Sequence, residues 1–356
     1  MKDNANTHFN VLFVDFMVED QHRAYCNELI NSINKFCSSV AIVKKDYLNY
    51  KQDPKHIIYY IDTKEVVGNY PIKARINTNY NFNSSKKIID KYSFDKVIVL
   101  GYDPVMFSTE YNYLSTKGKV YLVEHHQLDE VIGKYIKLKI WKKYGLRANH
   151  ILLDDSIVQE THDKLGVDIN KIAVFPHPLL KSSNDLSHKN NNETIILCIS
   201  NSNDITQLQD LANLEKKIHF FEHNNCEIII RSEFNIDTDG TNCFKQINGY
   251  LSKEDYDDLY RKSNIVLMAF PTTYNMRCSG SLIDAMALGK KVVSSNIAES
   301  RQYANLFNNI CRIYDNVDEI PNIVMDLKST NCTEDFNDFR NYQIGIKEKG
   351  IKDILS

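Results

Sequence analysis

The densest run of usable chemistry lies at residues 277–295, Arg-Cys-Ser-Gly-Ser-Leu-Ile-Asp-Ala-Met-Ala-Leu-Gly-Lys-Lys-Val-Val-Ser-Ser. Gly280 lets the backbone approach a ligand where a side chain would intrude. Ser281 suits a helix N-cap, and Leu282, Ile283, Ala285, Met286 and Leu288 supply the buried side of a short helix. Gly289 fits a left-handed C-cap, and Val292-Val293 opens a strand. A helix begun here turns its free N–H groups and positive dipole end toward Arg277, Ser279 and Gly280. That is an anion site suited to a phosphate or diphosphate. Ser281-x-x-Asp284 also reads as a capping box, in which Asp284 does no more than satisfy its own helix terminus. The second candidate is Glu124-His125-His126-Gln127, directly after an apolar strand. A histidine there can serve as general base, hydroxyl partner or metal ligand, or can simply bond to backbone.

These residues need elements to position them. At 356 residues the chain exceeds one typical core, and two domains are expected. Hydrophobic content of 43% and charged content of 25% fit a soluble globular protein. A net charge of −3 argues against a dedicated nucleic-acid binder. The 8 cysteines are scattered without a CxxC, which points to free thiols in a reducing cytoplasm rather than to disulfides or zinc. The N-terminus is polar, with no signal peptide, and no apolar run approaches the length of a spanning helix. No metal-ligand cluster is apparent.

Strand-like apolar runs at 10–16, 39–43, 57–61, 96–100 and 119–123, with a helical pattern at 21–36, predict an α/β domain with a mostly parallel sheet. No GxGxxG follows the first strand, so a dinucleotide-binding enzyme is not expected. Ligands in such sheets sit at the carboxyl ends of strands, which directs attention to residues 15–20, 101–103 and 124–127. The tract 181–193 reads as a polar linker. A second α/β half restarts with strands at 194–200, 227–231 and 264–269, a capped helix from Ser252 to Lys262, and helices at 318–327 and 334–355. Residues 132–147 carry 6 basic side chains interleaved with Ile136, Leu138, Ile140 and Trp141. Such a helix can lie on an anionic membrane surface, or can be a solvated helix with snorkelling lysines.

The run 277–295 resembles the donor-site signature of GT-B glycosyltransferases, especially the group 1, GT4-like family. There a glycine-containing loop leads into a helix that opens with an acidic residue and Ala-Met-Ala, followed by Gly-Lys and a Val-rich strand. Lys171-Ile172-Ala173-Val174-Phe175-Pro176-His177-Pro178 is similar to that family's lead into the interdomain linker. The resemblance covers residues 149–300 in sequence and the N-terminal part in architecture. It implies two Rossmann-like domains facing each other across a cleft, with the C-terminal helix crossing back to the N-domain. Residues 1–180, with 336–356, would form the acceptor side, and 181–335 the nucleotide-sugar side.

The implied activity is transfer of a sugar from a UDP- or GDP-sugar to a glycan or lipid-linked saccharide, as in bacterial surface polysaccharide synthesis. The family implies retention of configuration, no metal and no further cofactor. It also implies a cytoplasmic protein with peripheral membrane contact through 132–147. Carried over, Ser279, Gly280 and Ser281 meet phosphate, Asp284 meets the ribose, and Arg231 and Arg277 are the cations for the diphosphate. His125 or His126 orients the donor sugar, Glu124 or Asp129 serves as base in an inverting variant, and acceptor contacts fall on loops such as 69–83. His177, between two prolines, reads as structural. The family pairs two glutamates eight positions apart; here the second is Asp284 and the first is Met276, which cannot accept sugar hydroxyls as a carboxylate does. That departure keeps two alternatives, a non-catalytic GT-B partner and a sugar-nucleotide epimerase.

Overall fold

A computed structural model of the chain describes residues 7–17, 22–45, 48, 54–61, 70–179, 193–249, 251–274 and 276–356. Apart from Glu193, the linker expected at 181–193 lies outside them, as do residues 18–20. Contacts divide the chain into two units. Unit 1 is 1–178 with 276–278 and 345–356, and unit 2 is 179–275 with 279–344. The sequence boundaries were drawn at 180/181 and 335/336; the contacts draw them at 178/179 and 344/345, and they assign 276–278 to unit 1.

Unit 1 alternates β1 (Thr7–Asp15), α1 (Arg23–Asn34), β2 (Ser39–Lys44), β3 (His56–Ile61), α2 (Tyr70–Ile89), β4 (Tyr92–Gly101), α3 (Phe107–Leu114) and β5 (Lys119–Glu124). It continues through α4 (Gln127–Val131), α5 (Tyr135–Gly145), β6 (Asn149–Leu152), α6 (Val158–Leu165) and β7 (Ile172–Val174). The strands form one parallel sheet in the order β3-β2-β1-β4-β5-β6-β7. Both faces are covered, which is why its strands read as continuous apolar runs. Alternate residues of β1 divide between them: Leu12 and Val14 join Phe82, Trp141 and Tyr144 on one face, Val11 and Phe13 join Leu29, Ile33 and Ile354 on the other. Trp141 is fully buried, and Gly145 one turn later is obligatory, because a Cβ there would lie 2.5 Å from the indole ring.

The expected loop at 69–83 is instead the first part of α2, from Tyr70 onward; Asn69 is outside the described residues. The basic helix is α5, and it splits its apolar residues. Trp141 turns inward, while Tyr135 and Ile136 are 77% and 73% exposed beside Lys134, Lys139, Lys142 and Lys143.

Unit 2 carries β8 (Thr194–Cys198), α7 (Ile205–Ile218), α8 (Phe220–His223), β9 (Cys226–Arg231), β10 (Phe244–Ile247), α9 (Lys253–Lys262) and β11 (Ile265–Met268). Then follow α10 (Gly280–Ala287), β12 (Lys291–Ser295), α11 (Ala298–Leu306), β13 (Cys311–Tyr314), α12 (Ile320–Ser329) and α13 (Thr333–Leu355). Its parallel sheet runs β10-β9-β8-β11-β12-β13. The first half of α13 packs in unit 2 through Phe339. Its second half packs in unit 1, where Lys347 pairs with Glu28 and Ile354 enters the core. Gly350 passes so close to β7 that a Cβ would lie 1.8 Å from the Val174 carbonyl oxygen. None of the eight cysteines forms a disulfide.

Candidate functional site

In unit 2 the carboxyl ends of β8 and β9 face the N-termini of α9 and α10 across a pocket of about 320 Å³. Ile199, Asn201, Arg231, Ser252, Tyr256 and Ser281 line it. Helix α10 begins two residues earlier than the sequence suggested. Ser279, not Ser281, is the N-cap, and its Oγ accepts from the Leu282 amide at 3.2 Å. Ser281 therefore sits inside the first turn, and the capping box with Asp284 does not form. The Ser279 amide donates to the Glu299 carboxylate at 2.9 and 3.2 Å. Gly280 and Ser281, as the first two helical residues, have amides with no intrahelical acceptor. At the other end Gly289 adopts φ +74°. Gly289 and Lys290 donate to Met286 and Ala285 at 3.1 and 2.9 Å, the paired bonds of a Schellman cap.

Asp284 lies three residues beyond Ser281, on the same helix face. Burial first, and then repulsion from Asp257, push its carboxyl up to about 7, with a bond from Tyr256 working the other way. The Tyr256 hydroxyl donates to Tyr260 at 3.3 Å, and Tyr260 donates to the Ser281 carbonyl at 3.0 Å. Arg231 is buried at the end of β9, held by an Nε bond to the Gly249 carbonyl at 2.9 Å. The Ser252 cap of α9 forms as expected, with Oγ accepting from Asp255 at 3.1 Å.

In unit 1 the carboxyl ends of β1, β4 and β5 gather a histidine cluster. His125 is buried, and the His22 ring stacks on it at 3.8 Å. Tyr25 packs edge-on to both His125 and His177, at 5.2 and 5.5 Å. The His125 Nε2 lies 3.2 Å from the Leu100 carbonyl, so that nitrogen carries the proton and Nδ1 is an acceptor with no partner among the described residues. Burial, then His22, His177 and His126, hold this imidazole well below its ordinary pKa, so it is neutral. A cavity of about 10 Å³ beside it, lined by Asp15, Met17, His22, Gly101 and Gln127, is the size of one water. His126 points elsewhere, to Glu130 at 3.2 Å. That bond, together with Lys137, pulls the Glu130 carboxyl down to about 2. Burial lowers His177 to about 4.

The acceptor-side bases fare differently from expectation. Glu124 is buried, taking the Tyr102 hydroxyl at 2.8 Å and His150 Nδ1 at 2.7 Å, so it is a core group rather than an available base. Asp129 accepts the Met276 amide at 3.0 Å and pairs with Arg277 Nε. Arg277 is thus committed in unit 1 to Asp129, and Arg231 is the arginine that lines the unit 2 pocket. Met276 is buried in the unit 1 core. Sequence reasoning passed over His22 and Tyr256. The spacing of Tyr256 and Tyr260 behind a capped N-terminus was a usable signal; His22 offered none.

No family model and no curated protein matches the sequence. Solved structures do match along almost the whole chain. A trehalose-6-phosphate synthase, studied for glycosyl transfer with retention, aligns at a TM-score of 0.63, with 9% identity over 97% of this chain and 98% of that one. WaaG, a glycosyltransferase involved in lipopolysaccharide biosynthesis, aligns at 0.60 with 9% identity over 97% and 98%. A glycosyltransferase from Rickettsia africae aligns at 0.58 with 14% identity over 99% and 96%. At these identities the likeness establishes architecture. With two parallel α/β units in one chain and neighbours matching it almost end to end, the protein has the GT-B fold.

Proposed function

We propose that the protein is a glycosyltransferase that binds a nucleoside-diphosphate sugar in the unit 2 pocket. The observation that carries this reading is the gathering of Ser281, at the first turn of α10, with Arg231 around one cavity at the carboxyl ends of β8 and β9, and with Asp284 one turn along the helix. The amides of Gly280 and Ser281 and the Arg231 guanidinium stabilise the diphosphate as it leaves, which is where charge develops. Asp284, flanked by Tyr256, takes the ribose hydroxyls. Ser279 fixes the helix terminus. His125, neutral and with an unpartnered Nδ1, orients the donor sugar; His126, tied to Glu130, does not. The reaction is assigned to retention without a metal. Support for the donor class comes from a neighbour bound with UDP-2-fluoro glucose, at a TM-score of 0.60 and 9% identity over 98% of this chain and 99% of that one.

The acceptor is a glycan or lipid-linked saccharide of the kind used in surface polysaccharide synthesis, met at the cytoplasmic face of a membrane. The exposed Tyr135 and Ile136 among the lysines of α5 suit an anionic bilayer surface. No described helix is long and apolar enough to cross one.

A second reading, a non-catalytic GT-B partner, is favoured by one observation. Met276, at the position of the family's sugar-binding glutamate, is buried among apolar side chains. A thermal-shift screen of UDP, GDP, CMP and dTDP and their sugars separates the two. The transferase reading expects selective stabilisation by one nucleotide, since native-state ligands raise apparent stability. Arg231→Ala should weaken that binding roughly ten- to a hundredfold, the range for a lost charge-assisted bond. No shift with any nucleotide at millimolar concentration supports the non-catalytic partner.

A further inference from the structure

A cavity larger than the proposed donor pocket lies elsewhere among the described residues. It is a groove of about 560 Å³ in unit 1, between β7 with its flanking turns and the second half of α13. Lys119 and Asn149, which open β5 and β6, form one end of it. Six residues of strand, about 20 Å, separate Lys119 from His125, so this space is remote from the histidine cluster.

Three features specify an occupant. Tyr121, only 2% exposed, contributes to the lining, and its hydroxyl is buried with no hydrogen-bond partner among the described residues. A buried donor left without an acceptor is costly, so a ligand that supplies one is favoured. Lys119 and Lys349 stand over the same space; the Lys119 ammonium lies 5.3 Å from the Tyr121 ring centroid. Lys171 also lines it, with its Nζ on the Leu146 carbonyl at 2.8 Å, and Asp155 and Asp353 are the aspartates of the same lining. The rest of the wall mixes Asn149, Asn170 and Ser356 with an apolar strip of Val158, Ile172, Ile346 and Ile169, the last 44% exposed although aliphatic. Gly350 lets α13 pack against Val174 and so closes the groove on that side.

We propose that this groove is a second ligand site, for a small amphiphilic anion. Its phosphate or carboxylate head accepts from Tyr121 and lies between Lys119 and Lys349, and its short apolar body rests on the isoleucine wall. The volume falls within the range of small-molecule sites, and convergent polar groups beside an apolar strip suit an amphiphile. The proposal is independent of any nucleotide-sugar activity.

The test is calorimetric titration of the full chain with n-hexyl phosphate, with inorganic phosphate and hexylamine as comparators. Saturable binding of hexyl phosphate is expected, tighter than inorganic phosphate, with none for hexylamine. The double variant Lys119→Ala/Lys349→Ala, on exposed side chains, should lose at least roughly tenfold in affinity, as for removal of charge-assisted bonds. Tyr121→Phe, checked for native circular dichroism, should lose a few-fold. No saturable binding to the wild type, equal binding of inorganic phosphate or hexylamine, or unchanged affinity in the lysine double variant would each overturn it.

Discussion

At Asp284 the carboxyl titrates near 7 in the folded chain and near 3.8 when unfolded. Across that interval the unfolded state gives up its proton first, so stability falls as pH rises, and below it the residue costs nothing. Asp284→Asn should therefore raise the melting temperature at pH 8 and leave it unchanged at pH 4, while reducing nucleotide-induced stabilisation at pH 8. A melt series at both pH values with and without UDP checks this; destabilisation at pH 8 would sink it. Glu124 is a matter of packing: its carboxylate satisfies two buried partners, Tyr102 and His150. Glu124→Gln should cost about 2 kcal/mol in urea unfolding, the scale for leaving a buried hydrogen-bond partner unsatisfied. The type of residue at 124–127 was legible in the sequence, but its use was not. His125 and His126 are neighbours of one kind, and only packing by the distant His22, Tyr25 and His177 distinguishes them.

Among elements, α10 and β12 could be read directly, because Gly289 with its φ of +74° punctuates an apolar helix before a Val-rich strand. The start of α10 was misread because Ser279 and Ser281 are equally good caps by type. The loop expected at 69–83 falls on the first part of α2 for a different reason. Thr78, Asn81 and Ser85 share its buried stripe with Phe82 and Ile89, so polar residues interrupt the hydrophobic periodicity. Gly350 likewise looks like a flaw in a helix until the Val174 carbonyl is placed beside it. Gly350→Ala, favourable by helix propensity, should instead destabilise by about 2 kcal/mol through overpacking. Amide exchange should accelerate in 345–355 before it does so elsewhere. Wild-type exchange there, with unchanged stability, would mean that the close approach carries no weight.

For the molecule as a whole, the buried titratable groups set opposing pH trends. His177 titrates near 4 when folded against 6.5 unfolded, and His125 is lowered in the same sense, so both add stability as pH climbs through that window. Glu110, raised by burial to about 8 from 4.5, removes stability over its own window, and above pH 6.5 this trend is unopposed by the histidines. The melting temperature should fall by a few degrees between pH 6.5 and 8, and Glu110→Gln should remove much of that fall. The two-unit organisation was visible in length and strand alternation. The assignment of 276–278 to unit 1 was not, because it depends on the Asp129 contacts. Trp141 gives the division an optical consequence. It is the only tryptophan in 356 residues, and it lies in the dry core of unit 1. Intrinsic indole emission is therefore a private signal of that unit, blind to events in the other. Scanning it alongside calorimetry would show which half of the chain gives way first, with no label attached.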